Sequence, residues 1–72
     1  MRGAPAAIRV EVGHEEDGRW LAEVPALSGA LAYGPTRDQA VARAEALALR
    51  ILAERLEHGE STPELDGVFE TA

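Results

Sequence analysis

The sequence predicts an α+β domain of β-β-β-α-(β) order, in which a single long helix covers one face of an antiparallel-type sheet of three to four strands. Two segments in which apolar and polar residues alternate predict the first strands, and a polar connection ending in Asp17-Gly18 predicts a hairpin turn between them. A long segment with apolar residues at helical spacing follows. We expect a flexible leader at 1–6 and a single domain at 7–72, with strands at about 7–13, 19–25 and 30–33, a helix at about 36–58 and a possible strand at 67–71.

The first two strands are predicted from their alternating residues. In each segment every second residue is apolar, which is the pattern of a strand with one buried face; Arg9 and Glu11 lie between in the first segment, and Leu21 and Glu23 in the second. The apolar positions are Ile8, Val10, Val12, Trp20, Ala22 and Val24. Pro25 ends the second strand, because proline has no N–H to donate to the ladder. We therefore expect the apolar side chains of both strands to face the helix.

The helix is predicted to begin after Thr36 and to end near His58-Gly59. The Thr36 hydroxyl can accept a hydrogen bond from the first turn, and Gln39 completes a capping-box pattern. Glycine is the usual residue where the chain turns left-handed after a helix. At about 100° per residue, one apolar stripe is wide enough to cover the sheet. It comprises Ala40, Val41, Ala44, Leu47, Ala48, Ile51 and Leu52.

A second apolar stripe runs along nearly the opposite side of the same helix. It comprises Ala42, Ala46, Leu49, Ala53 and Leu56, and we call it the outer stripe. A chain of 72 residues without cysteine has no disulfide to support it, and a domain of this size buries only about 60 % of its unfolded-chain surface. We predict that the outer stripe joins copies of the chain in a dimer or higher homo-oligomer. The alternative is that small alanines and two leucines lie harmlessly in water.

Charge and hydropathy exclude two classes of partner. The net charge of −6 argues against a phosphate-binding surface, because affinity for nucleic acids depends mainly on Lys and Arg. No apolar run approaches the roughly 20 residues that span a bilayer, and no signal-peptide core follows the first residues. We expect a cytoplasmic protein that binds neither nucleic acid nor a membrane.

The acidic residues are concentrated toward the end of the chain, where no cationic residue follows Arg55. These residues are Glu57, Glu60, Glu64, Asp66 and Glu70. One interpretation is a solubilising segment. The other is an acidic surface to which a basic partner binds, with complementary potentials raising the association rate and the selectivity.

Catalytic and metal-binding patterns are absent from the sequence. The segment His14-Glu15-Glu16-Asp17 has residues that bind metals, but neighbouring turn residues rarely converge on one ion. Neither the spacing of an EF-hand loop nor the His-Glu-x-x-His motif is present. We interpret it as a solvated acidic turn. Paired carboxylates would have to come from Glu11, Glu45 and Asp66, yet the strand pattern turns Glu11 away from the helix. We predict no enzyme activity, no metal site and no cofactor.

The order of motifs resembles the HicB-like antitoxin family over roughly residues 8 to 65. A strand closing in Glu23-Val24-Pro25 is followed by Pro25-Ala26-Leu27-Ser28-Gly29 and then by Ala32-Tyr33-Gly34-Pro35-Thr36-Arg37-Asp38-Gln39-Ala40, which leads into an Ala- and Leu-rich helix. The combination of Pro-x-Leu-x-Gly with Gly-x-Thr-x-x-x-Ala is moderately specific, whereas either half alone is weak.

The resemblance implies a small fold similar to a truncated ribonuclease-H core without that enzyme's catalytic carboxylates. It also implies assembly into dimers or larger oligomers. In paired family members it implies binding to a small basic HicA-like toxin that cleaves mRNA, whose active surface the antitoxin covers. Relatives that repress their own operon carry a DNA-binding segment after this core, whereas this chain stops at Ala72, so we expect no direct DNA repression. Where many relatives have Cys, this chain has Ala30.

Three functional hypotheses follow. The first is a non-catalytic, HicB-like antitoxin or antitoxin-derived binding module that neutralises a small basic toxin by occlusion. The second is an orphan structural or interaction protein that self-associates without a toxin. The third and remote hypothesis is a residual metal-dependent nuclease.

Overall fold

The computed structural model describes residues 7–72 as a three-stranded antiparallel sheet packed against one long helix, which confirms the predicted α+β fold. The elements are β1 (Glu11–His14), β2 (Trp20–Glu23), β3 (Leu31–Gly34), α1 (Arg37–Glu57) and a short 3₁₀ helix at Pro63–Leu65. The strands lie in the order β1-β2-β3. The predicted leader at 1–6 falls outside the described residues.

The register of the sheet places the alternating apolar residues on the helix side. Val12 lies opposite Ala22, which lies opposite Ala32 on the next strand. Ala22 is fully buried against the helix. The β1–β2 hairpin is closed by a hydrogen bond from the Glu15 N–H to the Arg19 carbonyl at 2.8 Å. Gly18 takes the left-handed conformation that this turn requires, with φ of 94°.

The connection between β2 and β3 contributes to the core. The Val24 N–H donates to the Ala30 carbonyl at 2.8 Å, and the Leu27 N–H donates to the Val24 carbonyl at 3.0 Å. This turn directs Leu27 inward, where its side chain is 1 % exposed. The pattern Pro25–Gly29 predicts a turn, as observed, but it does not predict that one of its residues is among the most buried in the protein.

The ends of α1 follow from capping chemistry. The Thr36 hydroxyl oxygen accepts a hydrogen bond from the Gln39 N–H at 3.2 Å. At the other end the Glu60 N–H donates to the Arg55 carbonyl at 2.8 Å, while Gly59 is left-handed with φ of 71°. The helix spans Arg37–Glu57, so Thr36 and His58 are its caps.

The core lies between the sheet and the inner face of α1. Its buried members are Ala22, Val24, Leu27, Ala30, Ala40, Ala44, Ala48 and Leu52. The other three residues of the predicted inner stripe, Val41, Leu47 and Ile51, are half-buried. A close approach occurs at Gly34, where a Cβ atom would lie 2.8 Å from the backbone nitrogen of Ala40. Small residues on both sides therefore bring the start of α1 close to β3.

Two predicted strand ranges need correction. The ladder of β1 spans Glu11–His14 rather than 7–13, because β2 ends before Pro25 and offers no partner to residues 7–10. The possible strand at 67–71 is wrong. The Val68 N–H donates to the Leu65 carbonyl at 3.0 Å, and Gly67 has φ of 80°, so the chain turns here instead of extending. Adjacent apolar residues, Val68 and Phe69, also lack the alternation of a half-buried strand.

Candidate interaction surfaces

The outer stripe lies on the solvent side of α1. Leu49 is 63 % exposed and Leu56 is 51 % exposed. Ala42 and Ala53 are exposed, and Ala46 is half-buried. The five residues follow one another at spacings of four, three, four and three, which is the heptad spacing of a coiled-coil seam. No neighbouring element of the described chain covers this seam.

An apolar groove adjoins the outer stripe on the β1 side of the helix. Because α1 packs chiefly over β2 and β3, the inner face of β1 and the segment before it are only partly covered. The groove has a volume of about 250 Å³. It is lined by Ile8, Val10, Val24, Glu45, Ala48, Leu49 and Leu52. Leu49 belongs to both features, so the groove and the outer stripe form one continuous apolar surface.

The predicted acidic surface is mostly exposed. Glu57, Glu60, Asp66 and Glu70 are exposed to solvent. Glu64 differs, because it is half-buried and its Oε1 atom is buried without a hydrogen-bond partner. Its placement follows from the 3₁₀ helix, whose Leu65 packs against the core. The acidic surface is therefore better described by the four exposed residues than by all five.

The open face of the sheet carries a further exposed patch that was not among the predicted surfaces. Tyr33 is 38 % exposed and Leu31 is 42 % exposed. The Arg19 guanidinium lies 4.4 Å from the centre of the Tyr33 ring, which is the geometry of a cation–π contact. The signal was present in the alternation of β3, since these two residues must point opposite to Ala32.

The acidic turn contains a hydrogen-bonded loop. The Asp17 carboxylate accepts hydrogen bonds from the Arg19 backbone N–H at 3.0 Å and from its guanidinium at 2.8 Å. The backbone bond, followed by the guanidinium, lowers the pKa of Asp17 below its ordinary value. The His14 ring stacks on Trp20 with centroids 4.0 Å apart. These contacts engage Asp17 and His14 separately, in structural roles.

The carboxylates considered for catalysis lie in different places. Glu11 points to the open face of the sheet, where it pairs with Arg9 at 3.2 Å. Glu45 lies at the groove on the helix side. Within residues 7–72, no group of three or more His, Asp or Glu side chains is arranged to hold a metal ion. The same residues include no helix that is both long and apolar enough to cross a bilayer.

Comparisons with known proteins add no relative to this description. No family model, curated protein or solved structure matches the chain. The HicB-like resemblance therefore stays a prediction that rests on the motifs alone.

Proposed function

We propose that the protein is a non-catalytic binding module of the HicB-like antitoxin type, which self-associates through the outer stripe and covers a small basic toxin that cleaves mRNA. The outer stripe carries this proposal. Leu49 and Leu56 are each more than half exposed on a regular helix, and a helix of a small monomeric domain normally carries polar residues there.

The outer stripe is complementary to itself when two helices run antiparallel. Ala42 and Leu56 each lie seven residues from Leu49, so a second copy related by a two-fold axis at that residue places Ala42 opposite Leu56. Large residues then meet small ones at both ends of the seam. Ala46 and Ala53 lie three and four residues from Leu49, so they are offset by one residue across the seam, and their small side chains allow the two backbones to approach closely. Isologous contacts of this kind are the commonest in homo-oligomers.

The charge distribution supports a basic partner. The four exposed residues of the acidic surface extend from the end of α1 to residue 70, and no cation lies beyond Arg55 to neutralise them. A negative surface of this kind raises the association rate of a positively charged protein. Occlusion needs no catalytic group on the antitoxin, and the proposal places both proteins in the cytoplasm, where mRNA is available.

The self-association part is tested by Leu56→Asp and Leu49→Asp, with Leu31→Asp as the matched control. All three residues are exposed leucines, but only the first two lie on the outer stripe. Sedimentation of the stripe variants should show smaller assemblies than the parent, and the control should sediment like the parent. Stripe variants that keep the parent mass would remove the oligomer interface from the proposal.

The toxin part is tested by co-expression with a small basic protein encoded beside this one. The protein should restore growth of cells that express the toxin, and a variant with Glu57, Glu60 and Glu70 changed to Gln should do so less well. The matched control changes Glu15, Glu16 and Glu23 to Gln, with the same change in net charge. If pull-downs recover only the protein itself, the orphan self-associating hypothesis replaces the antitoxin hypothesis. Metal-dependent RNA cleavage that Glu11→Gln abolishes would instead favour the residual nuclease.

A further inference from the structure

The two edges of the sheet differ in how far they are blocked against pairing with a further strand. At the β3 edge the Arg43 guanidinium donates to the outward-pointing Tyr33 carbonyl at 2.7 Å, and Pro35, which follows the strand, has no N–H to offer. Both features disfavour pairing of another strand at the end of β3. Within residues 7–72 no side chain caps the edge of β1, and no proline occurs between residues 7 and 14.

The hydrogen bonds of the sheet identify which groups of β1 face outward. Glu15 bonds to Arg19 in the same register that pairs Glu11 with Glu23, so the odd-numbered residues of β1 direct their N–H and C=O groups toward β2. The even-numbered residues direct theirs to the free edge. Ile8 and Val10 continue this edge before the ladder begins, because their side chains still pack on the helix side while those of Ala7 and Arg9 are exposed.

The residues along this edge are complementary to their own reversed order. The segment reads Ile8-Arg9-Val10-Glu11-Val12. Antiparallel pairing with a second copy about Val10 places Arg9 opposite the Glu11 of that copy, and places Ile8 opposite Val12. Val10 faces its own counterpart, and its outward N–H and C=O groups make it a hydrogen-bonded pair. Arg9 and Glu11 then form the non-hydrogen-bonded pairs, in which opposing side chains come closest.

We propose that two copies of the chain join through the free β1 edges about Val10 into one continuous sheet of six strands, three from each copy. In the single chain Arg9 pairs with Glu11, two residues further along, at 3.2 Å, and both side chains are more than half exposed. In the pair each makes a cross-strand contact instead. Ile8 and Val10 line the apolar groove, so pairing about Val10 brings the grooves of the two copies next to each other. This inference does not rest on the proposed function.

Charge reversal tests the pairing. Arg9→Glu places like charges in both cross-strand pairs, as does Glu11→Arg, whereas the double variant restores opposite charges. Each single variant should halve the assembly mass measured by sedimentation equilibrium, whether or not the outer stripe also associates, and the double variant should recover the parent mass. Single variants that keep the parent mass would overturn the pairing. The Leu56→Asp variant tests association through the outer stripe separately, because this substitution leaves the β1 edge intact.

Cross-linking provides a second measurement that does not depend on charge. The chain has no cysteine, so single-cysteine variants Arg9→Cys and Glu11→Cys can be mixed and oxidised. The pairing predicts that the mixed disulfide exceeds either self-disulfide. The control mixes Arg9→Cys with Glu23→Cys, since Glu23 lies on the same face but one strand further in. Equal yields in the two mixtures, or no cross-link in either, would refute the β1 pairing. The absence of a cross-link is also the result expected if residues 67–72 of the same chain cover the β1 edge.

Discussion

Replacing Leu27 by Ala tests whether the connection between β2 and β3 holds the core together. The substitution removes three carbon atoms from a side chain that is 1 % exposed. Transfer of these atoms accounts for about 2.4 kcal/mol at roughly 0.8 kcal/mol per methylene. The space left behind adds to this, so the expected loss in the free energy of unfolding is about 3–4 kcal/mol, within the range of buried Leu→Ala changes. For 72 residues the total is expected to be about 4–11 kcal/mol.

Urea unfolding followed by circular dichroism measures this loss, with Leu31→Ala as the control. Leu31 is 42 % exposed and loses the same atoms, so its cost should stay below about 1 kcal/mol. Both variants should be compared with the parent at several protein concentrations, because association also stabilises the folded state. A Leu27→Ala variant within 1 kcal/mol of the parent would show that the connection packs more loosely than described, and would refute the reasoning.

Three other changes test the helix and the hairpin. Gly34→Ala should destabilise the protein by about 1–3 kcal/mol, because the new Cβ would lie 2.8 Å from the Ala40 backbone nitrogen; an unchanged melting temperature would contradict this. Thr36→Ala should cost about 1 kcal/mol by removing the cap on Gln39, whereas Thr36→Ser should retain most of it. Asp17 has a lowered pKa in the folded state. The contribution of its carboxylate to the stability of the folded protein is therefore complete above the unfolded-state pKa and is lost as the pH falls through the folded-state pKa. The stability difference between the parent and Asp17→Asn should therefore vanish in acid, and a difference that persists there would exclude the carboxylate as its source.

Elements whose signals are local were predictable from the sequence. The N-cap at Thr36 and the left-handed Gly59 depend on chemistry within a few residues, and both lie where the sequence places them. The alternation at residues 8–12 likewise predicts the face that packs on the helix.

Features that depend on distant residues were not predictable. Leu27 is buried because the turn bonds of Val24 and Ala30 direct it under the helix, which no periodic pattern reveals. The predicted strand at 67–71 is wrong for a local reason, because Gly67, with φ of 80°, turns the chain before Val68 and Phe69. The difference between the two sheet edges depends on the reach of Arg43 to the Tyr33 carbonyl, ten residues away along the chain.

The two proposed self-contacts generate a closed assembly only if their two-fold axes meet. When two β1 edges pair antiparallel, the two-fold axis is perpendicular to the sheet. When two outer stripes pack antiparallel on the side of the helix opposite to the sheet, the two-fold axis lies nearly within the plane of the sheet. The axes are centred on Val10 and Leu49, and both residues line the apolar groove. Perpendicular two-fold axes that meet generate a closed tetramer, whereas axes that miss each other generate an open fibre. A limiting mass of four chains, falling to two in either Arg9→Glu or Leu56→Asp, would establish closure. Growth beyond four chains would show that one of the two centres is misplaced.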